Sequence, residues 1–184
     1  MRNKRAALIV TLIVASTSAV ALATPQAQPP ARLPDVIYVP TPQAVVDAML
    51  EIAGVTKDDV VYDLGSGDGR IPVTAAKKYG AHGVGIDIDP ERVAEANANV
   101  AAASVGSLVR IVEGDLFEQD LSPASVVTLY LLPTLNLKLL PKLMRELRPG
   151  TRIVSHAFDM GEWKPEKQLE VQGRHIFFWT IPKR

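Results

Sequence analysis

The sequence predicts an α/β fold in which a largely parallel sheet is covered by helices on both faces. Apolar runs of strand length alternate with longer helical segments from near Asp35 onward, and glycine or proline marks several joints between them. In chain order the pattern predicts a helix over 41–52, a strand over 60–64 and a helix over 70–79. A strand over 83–87, a helix over 90–103 and a strand over 108–113 follow. A strand over 126–131, a helix over 135–147 and a strand over 151–157 complete the alternation. Gly80 after "AAKKY" stops the second helix, because glycine readily takes the left-handed conformation found at helix ends. Asp89-Pro90 reads as an N-cap and a first-turn proline, and Pro149-Gly150 ends the helix that closes in "LMRELR".

The carboxyl-terminal segment changes style. "KQLEVQGRHIFFWTIP" places two runs of strand composition around Gln172-Gly173, the pattern of an antiparallel hairpin. Phe177, Phe178 and Trp179 are contiguous, which suits a strand buried on both faces better than an edge.

The 184 residues, 47% hydrophobic and 22% charged, fit one domain with a substantial core behind an amino-terminal appendage. Arg2, Lys4 and Arg5 precede the apolar stretch "AALIVTLIVASTSAVALA", and Ala21-Leu22-Ala23 offers small residues for cleavage before Thr24. Residues 1–23 therefore read as a signal peptide that exports the chain to a periplasmic or secreted location. The alternative is an uncleaved membrane anchor with the domain outside. Residues 24–34, "TPQAQPPARLP", form a proline-rich linker, and 35–184 form the folded domain. Lys plus Arg and Asp plus Glu both number 20, so no excess of positive charge draws the chain to nucleic acid. The sequence has no cysteine, and His82, His156 and His175 are not at metal-ligand spacing, so no metal is expected.

The stretch "VVYDLGSGDGR" carries Gly65, Gly67 and Gly69 out of the first strand and into a helix. An open α/β sheet binds ligands beyond such strand ends, and glycine lets backbone N–H groups approach a ligand closely. A nicotinamide fingerprint would need a small residue where Arg70 stands, which weakens a dinucleotide reading. Asp87 closes the second strand in "GVGIDID", where a carboxylate can accept hydrogen bonds from both ribose hydroxyls of an adenosine. Asp115 in "RIVEGDLF" lies where it can take an exocyclic amine, and Asp63 can face a ligand's ammonium group. So acidic a surround repels phosphates and fits a ligand with adenosine, ammonium and sulfonium: S-adenosylmethionine.

With "DLGSGDG", "GIDID" and "GDLF" in this order and spacing, the chain from Asp35 onward resembles the class I S-adenosylmethionine-dependent methyltransferases. The resemblance implies a Rossmann-like seven-stranded sheet of order 3-2-1-4-5-7-6 with strand 7 antiparallel. It also implies that Asp63, Gly65 and Gly67 surround the methionine part, with Ser66 also in the cofactor set, Asp87 holds the ribose, Ile88 packs on adenine, and Asp115 with Leu116 borders it. Thr41 and Tyr130 complete that cofactor set. "YVPTP" ahead of the glycine loop and "LYLLP" later look like bacterial relatives of mitochondrial protein-lysine methyltransferases that modify the ATP synthase c-subunit and the adenine nucleotide translocase. That likeness implies a lysine acceptor and a protein substrate, membrane-associated proteins included.

Acceptor-side candidates are Tyr38, Thr41, Tyr130, Pro133, Asn136, His156 and Phe158, of which Tyr38, Tyr130, Asn136 and His156 are the catalytic candidates. Aromatic rings can steer an alkyl amine and stabilise its cationic product. Each has a structural reading beside the catalytic one: Tyr130 as core, Asn136 as a helix cap, His156 as partner of a backbone carbonyl. Asp68 is divided between N-cap and ligand contact, while Arg70 is expected to pair with an acid. After the fourth strand "YLLPTLN" stands in place of the Asn-Pro-Pro-aromatic motif of methyltransferases acting on base amines, which argues against nucleic acid. A small-molecule methyltransferase and a non-catalytic S-adenosylmethionine-binding protein remain as alternatives.

Overall fold

The computed structural model describes residues 36–183; the signal or anchor expected over 1–23 and the linker over 24–34 lie outside the described residues. β1 (Val60–Leu64) is parallel to β2 (His82–Asp87) on one side and to β4 (Val126–Leu129) on the other. β3 (Val109–Glu113) extends the parallel sheet beyond β2, and β5 (Arg152–His156) extends it beyond β4. β7 (Arg174–Thr180) pairs antiparallel with both β5 and β6 (Lys167–Val171), giving the order β3-β2-β1-β4-β5-β7-β6. The expected order and the antiparallel seventh strand are both observed.

Helices α1 (Gln43–Ile52), α2 (Arg70–Tyr79), α3 (Pro90–Ala102) and α4 (Pro133–Glu146) cover the sheet. Because side chains alternate along a strand, neighbours in sequence serve opposite layers. Val127, Ile153 and Trp179 join Leu139 and Leu143 of α4 in one core cluster. Val126, Val154 and Phe178 join Val46 and Leu50 of α1 in the other. The contiguous aromatics of β7 thus fill both layers, as a strand between two others requires.

Local chemistry sets the element ends. Gly69 (φ 74°) and Gly80 (φ 71°) stand in the left-handed region on either side of α2, and Asp89 caps α3 by accepting the Glu91 N–H at 2.9 Å. Several boundaries differ from expectation by one residue, and larger differences fall at three ends. α1 starts at Gln43, β4 stops at Leu129, and α4 starts at Pro133, whose missing N–H would be unbonded in a first turn anyway. Asn136 therefore sits inside α4 rather than capping it, and the residue before α2 is Gly69 rather than Asp68.

The amino-terminal ends of the central strands are pinned by one carboxylate. Asp59 accepts the Thr56 N–H at 2.8 Å and the Ser125 hydroxyl at 2.7 Å, and it pairs with Arg152 at the start of β5. Burial pushes the Asp59 carboxyl up, but Ser125, Thr56 and Arg152 outweigh it and hold the group below its ordinary value. The opposite ends of β1 to β4 are left for chemistry.

Close packing of α2 on β2 depends on Gly83, where an added Cβ would lie 2.7 Å from Pro72 Cβ. Gly83→Ala should destabilise the fold by about 1–3 kcal/mol, seen as a lowered thermal midpoint. An unchanged midpoint would mean that α2 yields to the methyl group without loss.

Candidate active site

β1 feeds into a loop built almost entirely from backbone contacts. The Gly65 and Ser66 N–H groups both donate to the Ile86 carbonyl, at 2.9 and 3.0 Å. Gly67 N–H donates to Asp87 Oδ2 at 2.7 Å, and Asp89 N–H donates to Asp87 Oδ1 at 3.0 Å. Asp87 is thus first of all a brace that ties the loop to the end of β2. Each of its oxygens keeps a second lone pair for a ligand hydroxyl.

Gly65 and Gly67 have φ of 78° and 53°, which a side chain would strain. Space is equally tight: a Cβ on Gly67 would lie 2.2 Å from Tyr38 Cε2, and one on Gly65 would lie 2.9 Å from Leu131 Cδ2. Ser66 is buried with its hydroxyl unpartnered among the described residues. Gly85 of β2 makes room for it, since a Cβ there would fall 2.7 Å from Ser66 Oγ.

A cavity opens over this loop and crosses the carboxyl ends of β3, β2, β1 and β4. Three strand spacings make it about 14 Å long. Asp115, Leu116 and Phe117 line one end beyond β3; Asp87, Ile88 and Asp89 follow beyond β2. Asp63, Gly65 and Ser66 lie at the middle, and Tyr130, Leu131 and Leu135 close the other end beyond β4. The segment 36–41 runs across the opening, with Tyr38 and Thr41 among the lining residues. Tyr38 is held there by the Arg92 guanidinium, 5.0 Å from its ring centroid.

Of the residues expected from sequence, Gly67 forms the floor beneath Tyr38, while Asn136 and His156 are not among those lining the cavity. Both are fully buried behind it. His156 Nδ1 lies 3.1 Å from the Thr41 hydroxyl, so its partner is a side chain rather than a backbone carbonyl. Its Nε2 has no partner among the described residues, and its ring lies 3.8 Å from the Tyr130 ring, centroid to centroid. Burial, then the nearby Arg174 charge, pushes the imidazole down to about 4, so it is neutral at physiological pH. Asp115 accepts the Phe117 N–H at 2.9 Å, which fixes the turn after β3. Arg70 pairs with Asp68 at 2.5 Å and also donates to the Thr41 carbonyl at 2.8 Å, anchoring the overlying segment. Burial raises the Asp68 carboxyl, yet the Arg70 pair prevails and holds it below its ordinary value.

Asp63 is different in kind. It is buried, accepts the Thr128 hydroxyl at 2.7 Å, and has no ion-pair partner among the described residues. Burial pushes it up to about 7; the Thr128 bond opposes this, while Asp87 and Asp68 add to it. Such a group is poised to ionise against a cation brought by a ligand. Thr128 carries a faint signal in the sequence, a polar residue in the apolar run "VVTL". Arg92, Phe117 and Leu135 carry none, because only the folded chain brings them to the cavity.

Known proteins are similar to this chain in sequence and fold. The family model described as the ANTKMT methyltransferase domain matches residues 63–167. A Saccharolobus islandicus protein-lysine N-methyltransferase is 51% identical over 76% of this chain and 88% of its own length. The human lysine N-methyltransferase of the ATP synthase c-subunit is 30% identical over 79% of this chain and 62% of its own length. Among solved structures, a Salinibacter ruber protein described as an RNA methyltransferase, in complex with S-adenosyl-L-homocysteine, is 55% identical. It aligns over 79% of this chain and 95% of its own with a TM-score of 0.78. With its glycine loop, its acid-lined cavity and these relatives, the chain belongs to the ANTKMT methyltransferase family.

Proposed function

We propose that this S-adenosylmethionine-dependent methyltransferase acts on a lysine side-chain amine of a protein substrate. The observation that carries the reading is the division of one cavity into an acid-lined part and an aromatic, apolar part. In the acidic part, Asp115, Leu116 and Ile88 border the adenine, and Asp87 accepts the ribose hydroxyls. The Ser66 hydroxyl and the Asp63 carboxylate meet the amino-acid arm, with Asp63 facing its ammonium. Gly65, Gly67 and Thr41 shape that pocket. An unpartnered buried hydroxyl and a carboxyl lacking a cation are what such a ligand would complete.

The cofactor, when bound, supplies a methyl carbon already activated by sulfonium. The chain's remaining tasks are to align an acceptor, exclude water and admit the amine without its proton. Tyr130, Leu131 and Leu135 offer apolar surface for a lysine's methylene stem. Burial of the amine there lowers its pKa and favours the neutral nucleophile. The Tyr130 ring, with Phe158 stacked 6.4 Å behind it, can stabilise the cationic product. Tyr38 and Thr41 close the site from above. His156 contributes as a neutral wall rather than a base, being buried off the cavity and titrating near 4.

The Salinibacter ruber relative makes RNA a second reading. An RNA acceptor calls for a cationic surface, whereas basic and acidic side chains here balance at 20 each. Ile37 and Val39, which line the cavity, are 91% and 52% exposed, and Leu132, next in sequence to the lining Leu131, is exposed as well. An apolar rim favours a protein acceptor, including one from a membrane. We further propose export or anchoring through residues 1–23, to be tested by amino-terminal sequencing of the protein from soluble and membrane fractions. A mature terminus at Thr24 marks cleavage, an intact one marks an anchor, and a cytoplasmic protein contradicts both.

Incubating the protein with methyl-tritiated S-adenosylmethionine and separated protein, RNA and metabolite fractions of its own cells tests the acceptor. Label on lysine in a protein band is expected. Label confined to RNA or to metabolites contradicts the lysine reading, and no turnover despite cofactor binding supports a purely binding role.

Asp63 gives a pH signature. Its folded carboxyl is raised from 3.8 to about 7, so between these values the folded state holds a proton that the unfolded state releases. Stability of the unliganded protein should therefore fall as pH rises across that window, while affinity for S-adenosylhomocysteine strengthens as pH rises through about 7. Asp63→Asn should flatten both dependences and weaken binding, measured by calorimetry and thermal melts. A wild-type affinity with no slope through this range contradicts the ammonium assignment.

A further inference from the structure

The buried amide of Asn136 addresses a strained turn. Its Nδ2 donates to the Phe158 carbonyl at 3.3 Å and the Asp159 carbonyl at 3.2 Å, with Ser155 Oγ at 3.4 Å. Its Oδ1 has no partner among the described residues. Turning the amide over would set that oxygen against two carbonyls, so the donors define its role.

Between these bonds and β5, Ala157 adopts a φ of 68°, the left-handed region that a side chain disfavours. The Phe158 N–H donates back to the His156 carbonyl at 2.9 Å, an i to i+2 bond of the γ-turn kind. Ala157 N–H meanwhile donates to the His175 carbonyl at 2.8 Å, which ties the turn to β7. The rings on either side of this turn both address the cavity wall: His156 lies 3.8 Å and Phe158 6.4 Å from Tyr130, centroid to centroid. Non-glycine residues hold a positive φ where the surroundings over-determine it, and such sites gather where geometry matters.

We propose that Asn136 is a positioning residue for methyl transfer: it holds the turn at Ala157, and through His156 and Phe158 that turn sets the ring face that Tyr130 presents to the acceptor. The proposal rests on the reading of Tyr130 as the acceptor end of the cavity. Asn136 itself does not line the cavity, so its effect passes through the turn. Among the described residues, its one link toward the cofactor part of the cavity is the 3.1 Å bond between His156 and the Thr41 hydroxyl, and Asn136 has no bond to Asp63, Ser66, Asp87 or Asp115.

Two readouts on the full chain test this. Isotope-labelled tyrosine reports the ring-current shift that His156 and Phe158 impose on Tyr130, independently of any substrate. Initial rates against the cellular protein fraction that takes up label report the acceptor's KM and kcat. Asn136→Leu should collapse the Tyr130 shift and reduce kcat/KM for the acceptor by about tenfold to a hundredfold, with a much smaller effect on affinity for S-adenosylhomocysteine. Adding Ala157→Gly should restore part of both, because glycine takes the positive φ without the amide's help. That rescue is not expected if Asn136 touches the acceptor or serves only general stability. Should Asn136→Leu fail to fold, Phe158→Leu, at a half-buried position, must shift Tyr130 and raise the acceptor KM alone. Unmoved Tyr130 resonances in Asn136→Leu, or no recovery in the double variant, overturn the proposal. If Tyr130→Ala leaves acceptor kinetics intact while the shifts behave as described, the acceptor-end reading fails and the turn alone stands.

Discussion

The bond from Gly67 N–H to the Asp87 carboxylate organises this molecule's functional face. A loop with glycines at alternate positions has little stiffness of its own, since each glycine widens the conformations open to the chain. Three donors, from Gly65, Ser66 and Gly67, are drawn to the end of β2, two by the Ile86 carbonyl and one by Asp87. That tether fixes where α2 begins, where Tyr38 can rest and where Ser66 points its hydroxyl. Remove it, and the cavity loses its floor rather than a single contact.

Around this tether the acids divide their labour by environment. Asp59, far from the cavity, is fully matched by Arg152 and serves the fold. Asp68 is matched by Arg70 and so anchors the segment that crosses the opening. Asp63 alone of these three lacks a cation among the described residues, at the point where the cavity passes between its two parts. A buried carboxyl of this kind is expensive to ionise in isolation and inexpensive beside an ammonium group, which couples ligand arrival to its charge.

Much of this is legible from residues alone. Glycines at 65, 67 and 69, an acid closing the second strand and another after the third are local patterns whose spacing survives folding, so they mark in advance the loop and the acids that meet around the cavity. Strand and helix alternation likewise announces the layers, and the "FFW" run announces an inner strand. What cannot be read is convergence. Asn136 resembles a cap because helix ends are ambiguous near proline, whereas Pro133 starts α4 earlier and turns Asn136 inward. His156 has the chemistry to move a proton, but β5 buries it behind Tyr130, where desolvation suppresses its charge. Arg92 over Tyr38 joins two segments more than fifty positions apart, and no spacing rule reveals such a contact.

If the Asp87-braced glycine loop is the cofactor's cradle, loop order and cofactor affinity must be lost together. Calorimetric affinity for S-adenosylhomocysteine, measured alongside amide exchange at Gly67 in wild type, Asp87→Asn and Asp87→Ala, reads both. Asp87→Asn, which keeps one acceptor, is expected to retain partial protection of Gly67 and to lose part of the affinity. Asp87→Ala should lose both. Wild-type affinity in Asp87→Ala, or lost Gly67 protection with binding intact, would contradict the cradle.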